Sequence, residues 1–139
     1  MKATRTFPAT YTSLPEIGEF VEQEARSAGL DERQSYDVQL AVDEAVTNII
    51  EHGYGEGQKG SIECSCQPRS GGLEITLKDE SDFFDPDEVR AFVPGKPLTE
   101  LSDRGAGLYL IKRLMDEVKF TRRKPGGNTL RLLKRSHKD

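Results

Sequence analysis

Apolar residues in the first half of the chain recur at helical spacing in two segments. In the first segment, Ile17, Phe20, Val21 and Ala25 lie three or four positions apart, which predicts a helix that ends at Gly29. The second predicted helix begins at Asp31 and runs to His52, with Gly53 as its stop. Its apolar stripe consists of Val38, Ala41, Val42, Ala45 and Ile49.

Elsewhere the pattern changes to short alternating runs and one further helix. The runs predict five strands: Thr4–Thr12, Ser61–Gln67, Leu73–Lys78, Lys119–Arg123 and Thr129–Lys134. Gly107–Val118 is predicted to be a third long helix, and Val93–Arg104, which contains proline and glycine, a mobile loop. Helices and strands alternate in blocks, which predicts an α+β fold: one domain, residues 1–139, forming a two-layer α/β sandwich with helices on one face of a mixed, mostly antiparallel sheet.

Composition narrows the class of protein. The net charge is −4, so no excess of positive charge indicates direct nucleic-acid binding. No apolar run approaches the ~20 residues of a membrane span, and the N-terminus lacks the apolar stretch of a signal peptide. Cys64 and Cys66 lie two apart, which is poor geometry for a disulfide, so we expect reduced thiols and a cytoplasmic location without membrane contact.

Basic residues are concentrated near the C-terminus. They are Arg122, Arg123, Lys124, Arg131, Lys134, Arg135 and Lys138. This basic cluster is either a solvated hairpin and tail or a surface that binds a partner.

The second predicted helix carries a carboxylate and an amide beside its apolar stripe. Glu44 and Asn48 are four positions apart, so they lie one above the other on one edge of the helix. A glutamate can take a proton from an attacking hydroxyl or water, and an asparagine oxygen suits Mg²⁺, which takes few protein ligands. The alternative is an ordinary amphipathic helix with polar residues at its boundary.

A glycine-rich turn precedes the third predicted helix. Gly105 and Gly107 flank Ala106 and permit close approach of the backbone, while the amides of the first helical turn favour an anion such as a phosphate. Arg104 adds a positive charge next to them. A turn with a purely structural role would have the same sequence.

Asp79 follows directly after the predicted strand Leu73–Lys78. At the mouth of a sheet, such a carboxylate can accept a hydrogen bond from an exocyclic amine, for example N6 of adenine. An aspartate that only forms a turn is the alternative interpretation.

Taken together and in this order, the segments resemble the histidine-kinase-like (GHKL) ATPase superfamily, and within it the anti-sigma factor serine/threonine kinase branch. Val42–Tyr54 is similar to the N-box of that branch almost residue for residue. Asp79–Pro86 resembles its G1 box, Arg104–Ile111 its G2 box, and Pro125–Leu130 its closing hairpin.

The resemblance implies a Bergerat fold that holds ATP and Mg²⁺ between helices and sheet, under a lid at about 93–104. It implies that Glu44 is the general base, that Asn48 binds Mg²⁺ and that Asp79 contacts adenine. The remaining nucleotide-binding positions that it implies are Arg104, Gly105, Ala106, Gly107, Leu108 and Thr129. One departure concerns the G1 box, where Ser81 and Phe83 occupy the usual glycine positions.

The function implied is an ATP-dependent protein serine/threonine kinase that is also an anti-sigma factor. Its partners would be an anti-anti-sigma protein of the STAS type, which it phosphorylates, and a sigma factor, which it sequesters. A homodimer formed through the outer face of the sheet is usual in that branch. The altered G1 box raises the alternative of a non-catalytic partner-switching module that binds nucleotide weakly or not at all.

Overall fold

A computed structural model describes residues 1–54, 60–81, 103–122 and 126–136, apart from the side chains at 52, 53 and 103–108. These ranges form helices and strands in the following chain order: β1 (Ala3–Pro8), α1 (Leu14–Ser27), α2 (Glu32–Asn48), a π-helical segment (Ile49–Tyr54), β2 (Ser61–Arg69), β3 (Gly72–Asp79), α3 (Asp103–Leu114), β4 (Glu117–Arg122) and β5 (Asn128–Arg135). In the described part of the chain, no helix is both long and apolar enough to cross a membrane.

The strands form one sheet in the order β1-β2-β3-β5-β4. Each neighbouring pair among these described strands is antiparallel, so the parallel component of the predicted mixed sheet is not found there. β5 lies between β3 and β4, and its first residue, Asn128, is paired with the last residue of β3, Asp79. The two ends therefore meet at one edge of the sheet.

The helices cover one face of this sheet, as the apolar pattern predicts. α2 packs between α1 and α3. Along β3 the buried residues Leu73, Ile75 and Leu77 alternate with partly exposed polar ones. The core is thus the single layer between helices and sheet, and the α+β two-layer prediction is confirmed.

Two predicted boundaries in the first half of the chain are wrong. β1 ends at Pro8 instead of Thr12, and the chain then turns into a short 3₁₀ segment, Tyr11–Ser13. Proline has no backbone N–H to continue a strand ladder. α2 leaves α-helical geometry after Asn48 and continues as a π-helical segment to Tyr54, so it does not run as one regular helix to His52.

The third helix lies four residues earlier than predicted. It begins at Asp103 and ends at Leu114, whereas Val118 belongs to β4 and is paired with Leu132. Val118 has helical spacing from Leu114, but it also fits the alternation of a strand. Most of the predicted lid, 93–102, lies outside the described residues, and its last two positions, Asp103 and Arg104, are helical.

Lys134 departs from the rest of the C-terminal basic cluster. It is 7% exposed, while Arg122, Arg131 and Arg135 are exposed as expected for a solvated hairpin. The other members of the cluster, at 123, 124 and 138, lie outside the described residues.

Both cysteines are buried on β2 and are not bonded to each other through sulfur. A hydrogen bond with Cys64, together with burial, raises the pKa of the Cys66 thiol. The two side chains therefore contribute to the core as neutral thiols.

Candidate nucleotide-binding site

The start of α2 is fixed by a reciprocal pair of hydrogen bonds. Asp31 Oδ1 accepts from the Gln34 backbone N–H at 2.7 Å, and Gln34 Oε1 accepts from the Asp31 N–H at 3.1 Å. This capping box sets where the helix begins and hence the rotation of every later residue around its axis. Glu44 and Asn48 consequently stand one turn apart, as the sequence predicts, on the helix that packs between α1 and α3.

Glu44 is partly buried, and its surroundings make it a stronger base than an exposed glutamate. Burial raises the pKa of its carboxyl, and the nearby carboxylates of Asp43 and Glu51 raise it further. Burial also raises the pKa of Asp43. Glu51 is held in place by the Tyr11 hydroxyl, which donates to Glu51 Oε2 at 2.7 Å. A carboxylate of raised pKa is a better proton acceptor than an ordinary one.

Asn48, at the last turn of α2, is 4% exposed. Within the described residues its Nδ2 has no hydrogen-bond partner, and it is the only buried side-chain polar atom of that kind there. A buried donor without a partner is costly in free energy, so the position favours a ligand that supplies polar groups. The amide of Asn48 thus fits a site for a phosphate-bound metal: its oxygen suits Mg²⁺ and its N–H₂ suits an anionic oxygen.

Asp79 lies at the end of β3 and is 3% exposed. Its Oδ1 accepts hydrogen bonds from the Ser81 N–H at 2.9 Å, from the Asn128 Nδ2 at 3.0 Å, and from the Ser81 hydroxyl. Asn128 Nδ2 also approaches Ser81 O and Ser81 Oγ, at 3.2 and 3.1 Å. Several donors on one oxygen offset the burial of the carboxylate and fix its orientation. Asp79, Ser81 and Asn128 thus form one buried hydrogen-bonded network.

Ser81 has a definite role in this network. The sequence presents it as a departure from the glycine of the G1 box, and the structure buries it at 3% exposure against Asp79. Its hydroxyl therefore supports the carboxylate. Phe83, the second departure, lies outside the described residues.

Thr129, one of the predicted nucleotide contacts, is not brought to Asp79. It is paired with Lys78 on β3 and Thr121 on β4, while Asn128 is paired with Asp79. Since successive residues of a strand point to opposite faces, Thr129 and Asn128 lie on opposite sides of the sheet. Asn128 is the site residue that sequence reasoning missed. Gly127, with φ of +99°, makes the turn that delivers it.

The predicted phosphate-binding residues, 104–108, lie within α3, which begins at Asp103. The prediction of a glycine-rich turn before this helix is therefore wrong, because Gly105 and Gly107 belong to the helix itself. The backbone N–H groups of a first helical turn have no partner within the helix and point towards the N-terminal end. α3 packs against α2, the helix that carries Glu44 and Asn48. The structure therefore brings together the two helices whose residues the sequence assigns to phosphate and metal.

The sequence matches the histidine kinase-like ATPase domain family over residues 7–134. The match covers most of the chain. The protein belongs to this family.

The chain is also similar to individual curated proteins, which are serine-protein kinases. The chain is 37% identical over 87 residues to the serine-protein kinase RsbW of Bacillus subtilis (strain 168), covering 60% of this chain and 54% of that protein. It is 31% identical over 100 residues to the serine-protein kinase RsbW of Oceanobacillus iheyensis, covering 69% and 63%. The chain thus spans about half to two thirds of the length of these relatives.

A solved structure shares the fold. The crystal structure of the RsbU and RsbW domains of Rv1364c from Mycobacterium tuberculosis superposes with a TM-score of 0.67 at 21% sequence identity, covering 97% of this chain and 32% of that one. At this identity the likeness concerns the fold alone, and it supports the two-layer arrangement of helices and sheet.

Proposed function

We propose that this protein is an ATP-dependent protein serine/threonine kinase and anti-sigma regulatory factor. It would phosphorylate a serine of an anti-anti-sigma partner of the STAS type and, in its other state, sequester a sigma factor. The observation that carries the proposal is the pairing of a partly buried Glu44 of raised pKa with Asn48, one turn away on α2. The likeness to the RsbW serine-protein kinases supports the choice of substrate class.

In this site ATP would supply the phosphoryl group, and Mg²⁺ would neutralise much of the charge on the phosphates. Asn48 would hold the metal through its amide oxygen, and the free amides of the first turn of α3, which include those of Arg104 and Gly105, would hold the phosphates. Asp79, oriented by Ser81 and Asn128, would accept a hydrogen bond from the adenine amine. Ser81 thereby contributes to the site even though it replaces a glycine.

Glu44 would act on the protein substrate. Its carboxylate would take the proton from the attacking serine hydroxyl, and the proton would remain on Glu44 until it is released to solvent. The serine oxygen would bond to the γ-phosphorus as the bond from that phosphorus to the ADP oxygen breaks, and ADP would leave. Fixed positions for base, metal and phosphates supply most of the rate in phosphoryl transfer.

Two further parts of the proposal concern assembly and location. The outer face of the sheet carries short hydroxyl side chains on adjacent strands, and Thr4 and Ser65 hydrogen-bond there at 3.0 Å. We propose this face as the homodimer contact, and analytical ultracentrifugation tests whether the protein is a dimer. The reduced, buried cysteines fit a cytoplasmic location.

A phosphotransfer assay with a purified STAS-type protein of the source organism tests the kinase proposal. Glu44→Gln is expected to lower the rate by about 10² to 10⁴-fold while ATP affinity stays within about twofold, because the change removes only the base. Glu19→Gln, an exposed position on α1, is the matched control and is expected to transfer at the wild-type rate.

Two outcomes would decide against this function. Transfer at the normal rate by Glu44→Gln would remove Glu44 from the reaction. If the wild-type protein gave no heat of binding and no thermal shift with ATP and Mg²⁺, the non-catalytic partner-switching module would be the better description.

A further inference from the structure

Tyr54 joins the helical end of the candidate site to its sheet end. It is the last residue of the π-helical segment, six positions after Asn48 along the chain, and it is 7% exposed. π-helical turns are rare and occur frequently at functional sites. The segment thus carries a buried phenol from the end of α2 towards the sheet.

The Tyr54 hydroxyl makes two hydrogen bonds to the backbone, one on each of two neighbouring strand ends. It donates to Ser61 O, at the start of β2, at 2.8 Å, and it accepts from the Glu80 N–H, directly after β3, at 2.8 Å. Because it acts as donor and acceptor at once, it needs its proton. Burial is the main cause that raises the pKa of Tyr54, so the hydroxyl stays protonated at neutral pH.

The packing around the ring is equally specific. A β carbon at Gly60 would overlap Cε1 and Cζ of Tyr54, so the ring can occupy its place only because residue 60 is a glycine. Glu80 follows Asp79 directly, and Asp79 is paired with Ile62, the residue after Ser61. Ser61 and Glu80 therefore lie opposite each other, one position beyond the Asp79–Ile62 pair, and the Tyr54 hydroxyl links the two strands there.

We propose that Tyr54 is a positioning residue for Asp79: its hydroxyl fixes the backbone at Ser61 and Glu80 and thereby sets the carboxylate that recognises the base. The predicted effect on nucleotide binding rests on the proposed function, whereas the predicted effect on the backbone at Ser61 and Glu80 does not. Tyr54 touches neither the base nor the phosphates, and acts through the backbone next to Asp79.

The first experiment measures dissociation constants by calorimetry for ATP·Mg²⁺ and for ITP·Mg²⁺, in the wild type and in Tyr54→Phe. ITP has a carbonyl where ATP has the exocyclic amine, so it lacks the donor that Asp79 is proposed to recognise. Loss of the hydroxyl is expected to weaken ATP binding about tenfold, which is the equivalent of about one or two lost buried hydrogen bonds. ITP binding is expected to weaken less than about twofold. Tyr36→Phe, an exposed tyrosine on α2, is the control and should change neither constant.

The second experiment needs no nucleotide. Amide hydrogen exchange of Glu80 is expected to become about tenfold faster in Tyr54→Phe, because its hydrogen-bond acceptor is removed, while the core amide of Ile75 keeps its wild-type rate. Gly60→Ala displaces the ring and leaves the hydroxyl chemically intact, so it serves as a second variant. It should also weaken ATP binding more than ITP binding and speed the exchange of the Glu80 amide.

The outcomes separate this inference from the kinase proposal. The positioning role would be overturned if Tyr54→Phe weakened ATP and ITP binding equally, or if it left the exchange rate of the Glu80 amide unchanged. Tyr54 would then be a residue that only stabilises the fold. If the wild type binds no ATP, the proposed function fails, and the Glu80 exchange rate alone decides the role of Tyr54.

Discussion

The buried ion pair between Lys134 and Asp37 links β5, α2 and the end of α3. Lys134 Nζ donates to Asp37 Oδ2 at 3.2 Å and to Leu114 O, the final residue of α3, at 2.5 Å. The side chains are 8% and 19% exposed, respectively. A cation at a helix C-terminus also interacts favourably with the unpaired carbonyls there. Replacing Lys134 with methionine retains the aliphatic packing and removes only the charge and its hydrogen bonds.

The loss of stability expected for Lys134→Met follows from the two groups that lose their partner. Breaking a buried ion pair from one side costs about 3–5 kcal/mol. Since the Asp37 carboxylate keeps some solvent contact, we take a cost just below that range, about 2–3 kcal/mol. The Leu114 carbonyl loses its donor as well, which adds about 1 kcal/mol. Lys134→Met is therefore expected to lower the free energy of unfolding by about 3–4 kcal/mol.

Urea denaturation, with the transition followed by circular dichroism, measures this loss. The double variant Lys134→Met with Asp37→Leu removes both charges and should recover all but about 1 kcal/mol. Lys119→Met, an exposed lysine on β4, is the matched control and should stay within about 0.5 kcal/mol of wild type. A loss below about 1 kcal/mol in the single variant, or no recovery in the double variant, would refute the reasoning.

Two further predictions concern the site itself. Asp43→Asn removes a like charge beside Glu44, so the pKa of Glu44 falls and the acid limb of the kcat–pH profile of phosphotransfer moves to lower pH. Asn128→Ala removes a hydrogen bond to the Asp79 carboxylate, and it is expected to lower the free energy of unfolding by about 1.5–3 kcal/mol and to weaken ATP binding in calorimetry. Thr129→Ala, on the opposite face, should do neither.

Each of these predictions has a clear contrary result. An acid limb that stays in place in Asp43→Asn would mean that Glu44 is not the group whose ionisation the profile reports. Weaker ATP binding in Thr129→Ala, with Asn128→Ala unaffected, would restore Thr129 to the site and exclude Asn128.

The elements of the fold could be predicted because each long segment has one clear period. α1 and α2 carry apolar stripes at helical spacing, and β3 alternates between buried and partly exposed positions. Boundaries were predicted less well where one residue satisfies two periods. Val118 continues the apolar face of α3 at helical spacing, yet it is paired with Leu132 in β4, because Asp116 N–H already bonds Leu133 O and starts the ladder.

The sequence predicts how the proposed site residues lie relative to each other within α2, but it does not do so for the hairpin. Glu44 and Asn48 are related by helical geometry, which fixes their relative position within one element. The choice between Asn128 and Thr129 depends on strand register, and a slip of one residue exchanges the two faces of a strand. The register of β5 against β3 is set by contacts between segments far apart in sequence, which periodicity does not reveal.

Long-range polar contacts were not predictable from local pattern. Lys134 was grouped with the exposed basic residues around it, and nothing in its neighbourhood indicates a partner at Asp37, 97 positions away. Tyr54 likewise reaches Glu80 across 26 positions. Both roles became visible only once the sheet and helices were assembled.

A crystal structure of the protein with Mg²⁺ and a non-hydrolysable ATP analogue tests the central claim most directly. The account predicts that the adenine amine lies within hydrogen-bond distance of Asp79, that the metal contacts the amide oxygen of Asn48, and that the phosphates lie at the N-terminus of α3. An analogue bound elsewhere, with protein side chains filling the space between Asn48 and Asp79, would contradict it.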